Sequence, residues 1–322
     1  MTRGLGLALL LALCGSCDPA TRGELGAARF RYDGGLYGCL RGCDADEPIA
    51  EGAIVDVLLA NGADLPSCAA SSSAPEILGW AGECDSALRG EAITPGSAAL
   101  ILTRDLDGGL LDRLSFDVAA TETIELGDEG DRRPFLVATG GTARLLARPL
   151  DARGKRLVGV GGVAFSAAAP LDAAVTLVSA RAFVEAGSPI GSVQDFVDVL
   201  AGPTPAAGAL CAEAPSGAAA CADSAVVGAT DVASISLWTD PRHPHAGAPW
   251  FVEAYAATAA GDRVRSPACA WSWSPAEAAA YDGDPGRDTA TLLLADGSGG
   301  TTVTVTCVVG SARAELSRRV RE

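Results

Sequence analysis

The chain has 322 residues, 48% of them hydrophobic, and a formal net charge of −16. That is enough chain for two or three domains of ordinary size with real cores, and the acidic balance disfavours long-range attraction to nucleic acid phosphates or to an anionic membrane surface. Ten cysteines against two histidines suggest a disulfide framework and leave a Ser-His-Asp or Cys-His mechanism almost no material.

Arg3, the apolar run Leu5 to Leu13, and the small residues Gly15 and Ser16 have the layout of a bacterial secretory signal. The apolar part is too short to cross a bilayer as a mature helix. Gly15 and Ser16 lead directly into Cys17, and "LCGSC" resembles the lipobox of bacterial lipoproteins, with Cys14 where that family has an aliphatic residue. The resemblance implies a signal over residues 1–17 and acylation of Cys17. Two or three acyl chains anchor stably where one does not. An ordinary signal cleaved near Ala20 is the alternative and gives a secreted protein. The polar residues 18–26 read as a short tether.

Residues 27–121 carry candidate strands in "ARFRY", "AIVDVLLA", "EILGW", "AALILT" and "LLDRLSFDV", where Leu114, Phe116 and Val118 alternate with polar residues. This reads as an all-β domain. Its four cysteines allow three connectivities, between which the sequence does not choose; the expectation is Cys68 with Cys84 and a tight local loop between Cys39 and Cys43.

Residues 122–227 form the middle domain. Here "GGTARLLARPLDARGKRLVGVGGVAF" resembles the front half of bacterial group 2 immunoglobulin-like domains. It has a glycine, a strand, a D-x-x-G turn at Asp151 and Gly154, and a strand ending in an aromatic, Phe165. The glycines of "GVGGVAF" lack the dinucleotide fingerprint and read as a glycine-rich strand or bulge. "AVTLVSARAF" supplies a further strand. "SVQDFVDVL" reads as a short helix, with Ser192 as N-cap, Asp195 three residues on, and Val193, Phe196, Val197 and Leu200 on one face. Cys211 and Cys221 flank "APSG" symmetrically, as in a stapled hairpin.

Residues 228–322 give the clearest pattern. "TTVTVTCVVG" alternates strictly, with Val303, Val305, Cys307 and Val309 on one face. "ASISLW", "PWFVEAYAAT", "CAWSWS", "TATLLLA" and "SARAELSRRV" add strands at β-sandwich spacing. Cys269, Trp271 and Trp273 share parity, so Cys269 can meet Cys307. "CAWSWSP" with "GSGGTTVTVTCVVG" resembles strands of bacterial immunoglobulin-like or PKD-like surface domains. The first cysteine directly precedes the tryptophans, unlike the antibody pattern, so the bond can join neighbouring strands of one sheet instead of bridging two.

Chemistry is sparse. Nucleophile elbows, H-E-x-x-H and Walker sequences are absent. His243 and His245 in "DPRHPH" and the acidic groups Asp105/Asp107, Asp128/Glu129/Asp131 and Asp282/Asp284/Asp288 read as turn residues before they read as metal ligands. The five tryptophans read as core before sugar platform. The resulting expectation is an all-β chain of tandem immunoglobulin-like β-sandwiches with a short helix in the middle domain. It is an envelope or surface protein with a structural, adhesive or ligand-binding role, no catalysis and no cofactor. Its partners are the membrane, through the lipid, and a protein or glycan at the cell surface. The alternative is a carbohydrate-active hydrolase or carbohydrate-binding module with a site between domains.

Overall fold

The computed structural model of the chain describes residues 20–32, 45, 47–81, 84, 87–127, 134–186, 194–283 and 286–322. The expected acylation at Cys17 and the pairing of Cys39 with Cys43 lie outside them, as do Asp128, Glu129, Asp131, Ser192 and Asp284. The described residues are almost entirely β-structure.

The first strands are β1 (Thr21–Arg22), β2 (Arg29–Tyr32), β3 (Ile49–Ala50), β4 (Ile54–Leu59), β5 (Cys68–Ser72), β6 (Leu78–Ala81), β7 (Leu88–Ala92), β8 (Gly96–Arg104) and β9 (Leu110–Ala119). They form two sheets, ordered β1-β2-β4-β7-β6 and β3-β9-β8-β5. Phe30, Val57 and Leu88 of the first sheet share one core with Leu100, Leu102 and Phe116 of the second. In β9 the side chains of Asp112, Leu114, Phe116 and Val118 are buried between exposed Arg113, Ser115 and Asp117, the alternation of a half-buried strand. Trp80 lies flat over its cross-strand partner Gly90, where a Cβ would sit 2.7 Å from the indole.

Asp112 is a carboxylate fully inside the fold. It accepts the backbone N–H groups of Leu25 (2.8 Å), Ala28 (2.6 Å) and Arg113 (2.8 Å), and a side chain on Gly23 would collide with it. These bonds correct the reading of residues 18–26 as a short tether, for its described part. From Thr21 onward that stretch pairs with β2 and is tied to β9, because a buried carboxylate needs donors and this segment supplies them.

The middle of the chain gives β10 (Thr123–Leu126), β11 (Phe135–Ala138), β12 (Thr142–Leu150), β13 (Ala164–Ala167), β14 (Val175–Ser179), α1 (Ala180–Glu185), β15 (Asp195–Ala201), β16 (Ala206–Glu213) and β17 (Ala219–Val227). Two expectations are corrected here. The segment read as a helix is strand β15, paired with β12 and β14, and the helix lies earlier, over the end of a run read wholly as strand. Val197, Val199 and Ala201 are buried while Leu200 is exposed. In so short an apolar run, period 2 and period 3.6 fit almost equally well, and pairing on both sides decides for the strand. The D-x-x-G turn has the Asp151 carboxylate accepting the N–H groups of Arg153 and Lys155, both at 2.8 Å, with Gly154 at φ +72°.

The last strands are β18 (Ser234–Asp240), β19 (Pro249–Ala257), β20 (Arg263–Arg265), β21 (Ala270–Ser274), β22 (Ala279–Tyr281), β23 (Thr289–Leu294), β24 (Thr302–Val309) and β25 (Ala312–Arg319). The sheet β21-β24-β25 covers a core of Trp250, Val252, Leu292, Val303, Val305 and Leu316. Its opposite wall is a nine-stranded sheet, β13-β16-β17-β11-β20-β19-β23-β22 with β18 on the far edge of β19. That sheet begins in the middle of the chain.

Bonds join Cys68 to Cys84, Cys211 to Cys221 and Cys269 to Cys307. Cys211 and Cys221 face each other across the β16–β17 hairpin. Cys269 precedes β21 and Cys307 lies on β24, its partner strand, so this bond stays within one sheet.

Candidate functional site

The distinctive geometry of the molecule lies at two joints between neighbouring pairs of sheets. At the second joint, β11 runs parallel to both β17 and β20. Its four residues, Phe-Leu-Val-Ala, are all buried, as expected of a parallel strand covered on both faces. Phe135 and Val137 enter a core with Leu145, Val197, Val199 and Leu210. Leu136 and Ala138, pointing the other way, enter a core with Ala254, Ala256, Val264, Cys307 and Val309. One strand therefore serves two cores on opposite faces of one sheet. Arg287 adds a stitch, its Nη2 donating to the Thr139 carbonyl at 2.6 Å and its Nε to that of Ser266 at 3.4 Å.

At the first joint the glycine-rich run lies against the N-terminal sheets. Val158 N–H donates to Pro48 O, Ala50 N–H to Val158 O, and Ile54 and Val160 exchange both backbone bonds. Leu157 and Val158 enter the N-terminal core, while Val160 packs with Ile54, Ala180, Val184 and Phe196. Glycine is required because Gly159 sits at φ +112°, and a Cβ there would stand 2.7 Å from that of Ala53. From α1, Arg181 reaches Glu91 (3.2 Å), Glu185 (3.0 Å) and the Gly52 carbonyl (3.4 Å).

Behind this run sits Asp195, 1% exposed. Its carboxylate accepts N–H groups of Val163 and Phe196, each at 2.9 Å, with Gly161 and Gly162 also donating. Burial pushes its pKa up to about 6, against the pull of these four donors. The sequence reading placed Asp195 in a helical cap; it does cap backbone N–H groups, but those of a neighbouring loop. A carboxyl raised in the folded state binds its proton more tightly there than in the unfolded chain. Its stabilising contribution is thus complete below about pH 4 and is lost as pH rises through 6. A shift of this size corresponds to about 3 kcal/mol. Urea midpoints at pH 4.5 and 7.5 are expected to favour the lower pH in the native protein, and this difference is expected to shrink in Asp195→Asn.

In front of Gly161, Gly162 and Val163 opens a cleft of about 640 Å³, lined also by Leu177, Ser179, Arg181 and Glu213. A second cleft, of about 310 Å³, lies at the other joint between Thr142–Arg144, Arg263–Pro267 and Asp288. The sequence reading singled out neither.

His243 and His245 are exposed, with His245 Nδ1 3.4 Å from the Glu322 carbonyl. No group of three metal-ligating side chains occurs among the described residues, and no helix there is long and apolar enough to cross a membrane. Trp250 is buried. Trp271 and Trp273 are half-buried, their indole N–H groups donating to Gly286 O at 3.2 Å and Ala279 O at 2.8 Å. Trp238 is 44% exposed, with Phe251 edge-on at 6.3 Å.

No protein-family model matches the chain, and no curated protein matches it. Among solved structures it is similar to domains 4–9 of the surface layer protein SbsC (17% identity, TM-score 0.32, covering 85% of this chain and 43% of that one). It is also similar to FdeC, an Escherichia coli adhesin (15% identity, TM-score 0.28, 94% and 99%), and to the Dpr2 Ig1-Ig2 and DIP-Theta Ig1-Ig3 complex (9% identity, TM-score 0.23, 91% and 99%). The chain thus spans less than half the length of that surface layer chain.

Proposed function

We propose that the chain is an exported, non-catalytic protein of the cell envelope. Its immunoglobulin-like sandwiches, over residues 27–121, 122–227 and 228–322, act together as one stiff structural or adhesive element, lipid-anchored through Cys17. The supporting observation is β11. A flexible string of domains needs joints with few contacts across them, whereas here the boundary at 227/228 divides the chain but not the sheet. The backbone bridges between Pro48–Ile54 and Val158–Val160 tie the first joint in the same way. Disulfides suit an oxidising compartment outside the cytoplasm.

Mass spectrometry of the mature protein, purified from membranes and from medium with and without reductant, tests the anchoring. The expected form begins at Cys17, carries its acyl chains, and partitions with membranes. A soluble form beginning near Ala20 would replace the anchor with secretion. Hydrogen exchange tests the stiffness separately, as set out in the Discussion.

A further inference from the structure

The end of the first sandwich that points away from the joints carries exposed leucines. β9 runs from Leu110 to Ala119, and it is the Val118–Ala119 end that pairs with Ile49 and Ala50 beside the first joint. Leu110 therefore lies about 30 Å away, at the opposite end. There the β8–β9 hairpin closes with Arg104 N–H donating to Gly109 O at 2.9 Å, and Leu106 at its crest is 98% exposed. Leu110 is 47% exposed, and Leu25, whose N–H donates to Asp112 from the β1–β2 turn, is 58% exposed. Three of the eight large apolar side chains exposed among the described residues thus gather at one end. Single exposed leucines are ordinary, whereas a group of them on one tip marks a contact surface.

This end also lacks the acidic excess of the chain as a whole. Its described acids are mostly engaged, Glu24 with Arg113, Asp107 with Arg104, and Asp105 with the Ser67 hydroxyl, while Asp64 past the end of β4 is left over. Arg22 and Arg31 are exposed and make no ion pair among the described residues. Arg22 lies over the turn at Gly26, where an added Cβ would be 2.7 Å from its guanidinium. It stands opposite Arg29 in the β1–β2 register, and the alternation of a strand puts Arg31 on the same face.

Where the fold begins decides what this end meets. Thr21 pairs with Phe30 and Arg22 with Arg29, so β1 starts close to the Leu25 turn. Cys17 stands four residues before Thr21, a reach of at most about 14 Å. Acyl chains on Cys17 therefore hold this end of the molecule, and not the later sandwiches, against the lipid.

We propose that the tip formed by Leu25, Leu106 and Leu110, with Arg22 and Arg31 beside it, docks on the bilayer that anchors the chain. The leucines enter the boundary between headgroups and acyl chains, and the arginines take the phosphates of anionic lipids. This rests on the proposed acylation of Cys17 and adds to it a second contact, which turns a one-point attachment into one with a defined orientation.

The test uses the native protein purified from membranes and reconstituted in phosphatidylethanolamine–phosphatidylglycerol vesicles whose acyl chains carry bromine, a contact quencher of tryptophan. Leu106→Trp is expected to lose most of the emission it adds, whereas Leu293→Trp, at an exposed position on β23, keeps its own. Both side chains are exposed, so neither replacement should move the thermal midpoint. Arg22→Gln with Arg31→Gln, or phosphatidylcholine in place of phosphatidylglycerol, is expected to reduce the quenching at Leu106→Trp, and indifference to both changes overturns the contact of arginine with phosphate. A protein that floats with the vesicles while Leu106→Trp stays as bright as Leu293→Trp overturns the docking and keeps the anchor. A protein whose mass shows no acyl chains and that does not float overturns both.

Discussion

Leu136→Ala is expected to destabilise two cores at once, although its side chain touches one. Truncating a buried leucine costs about 2–5 kcal/mol, depending on how far the site collapses. Leu136 is 7% exposed and packs toward Ala256, Val264 and Val309. The loss should still reach Val197 and Val199 on the other side of the sheet, because the backbone of β11 that carries Leu136 also holds Phe135 and Val137 in their core. Native-state hydrogen exchange reads this directly. Amides of β15 and of β19 should lose protection together in Leu136→Ala, and again in Val137→Ala, whose side chain points to the opposite core. Loss confined to one side in both variants would show that the units open independently, and the proposed stiffness would fall with it.

Removing the Cys269–Cys307 bond is the second large effect. The cysteines are 38 residues apart, and constraining a loop of that length in the unfolded chain is worth about 4 kcal/mol in the chain-entropy account. Cys307 is fully buried beside Leu136 in the core that β11 shares, so its replacement also leaves a small void. Cys269→Ala with Cys307→Ala should lower the urea midpoint by an amount corresponding to about 4 kcal/mol without changing the secondary structure seen by circular dichroism. A loss below about 1 kcal/mol would mean that the unfolded chain is already compact around these residues.

Strands with one wet face were legible from the residues. In β9 and β24 polar and apolar side chains alternate because one face meets water and the other a core, and the structure keeps that parity at Phe116 and Val305. What the residues obscured was anything covered on both sides. Phe135 to Ala138 is a four-residue apolar run with no alternation, and nothing local distinguishes such a run from a buried turn of helix. The β14 to β15 region was misread for a related reason, since its apolar spacing satisfied two periods and only the neighbours β12 and β14 chose between them. The glycines at 159 and 161 were legible as a departure from regular strand, yet their cause, the approach of Ala53 and Arg181, lies far away in sequence. The arginine cleft had one local trace, the alternation Arg-Val-Arg in β20. Its third arginine, Arg144, comes from β12, which no short window around β20 contains.

The β16–β17 hairpin carries its sulfur bridge on the outside. Cys221 is exposed, whereas Cys68, Cys84 and Cys307 are buried. At its tip, Pro215 rests against Gly52 of the N-terminal sheets, where an added Cβ would lie 3.0 Å from the proline ring. The hairpin is therefore a strut braced by an accessible clamp. Mild reductant should reach that clamp before the hidden ones, slackening the support under the N-terminal third while every hydrophobic interior stays closed.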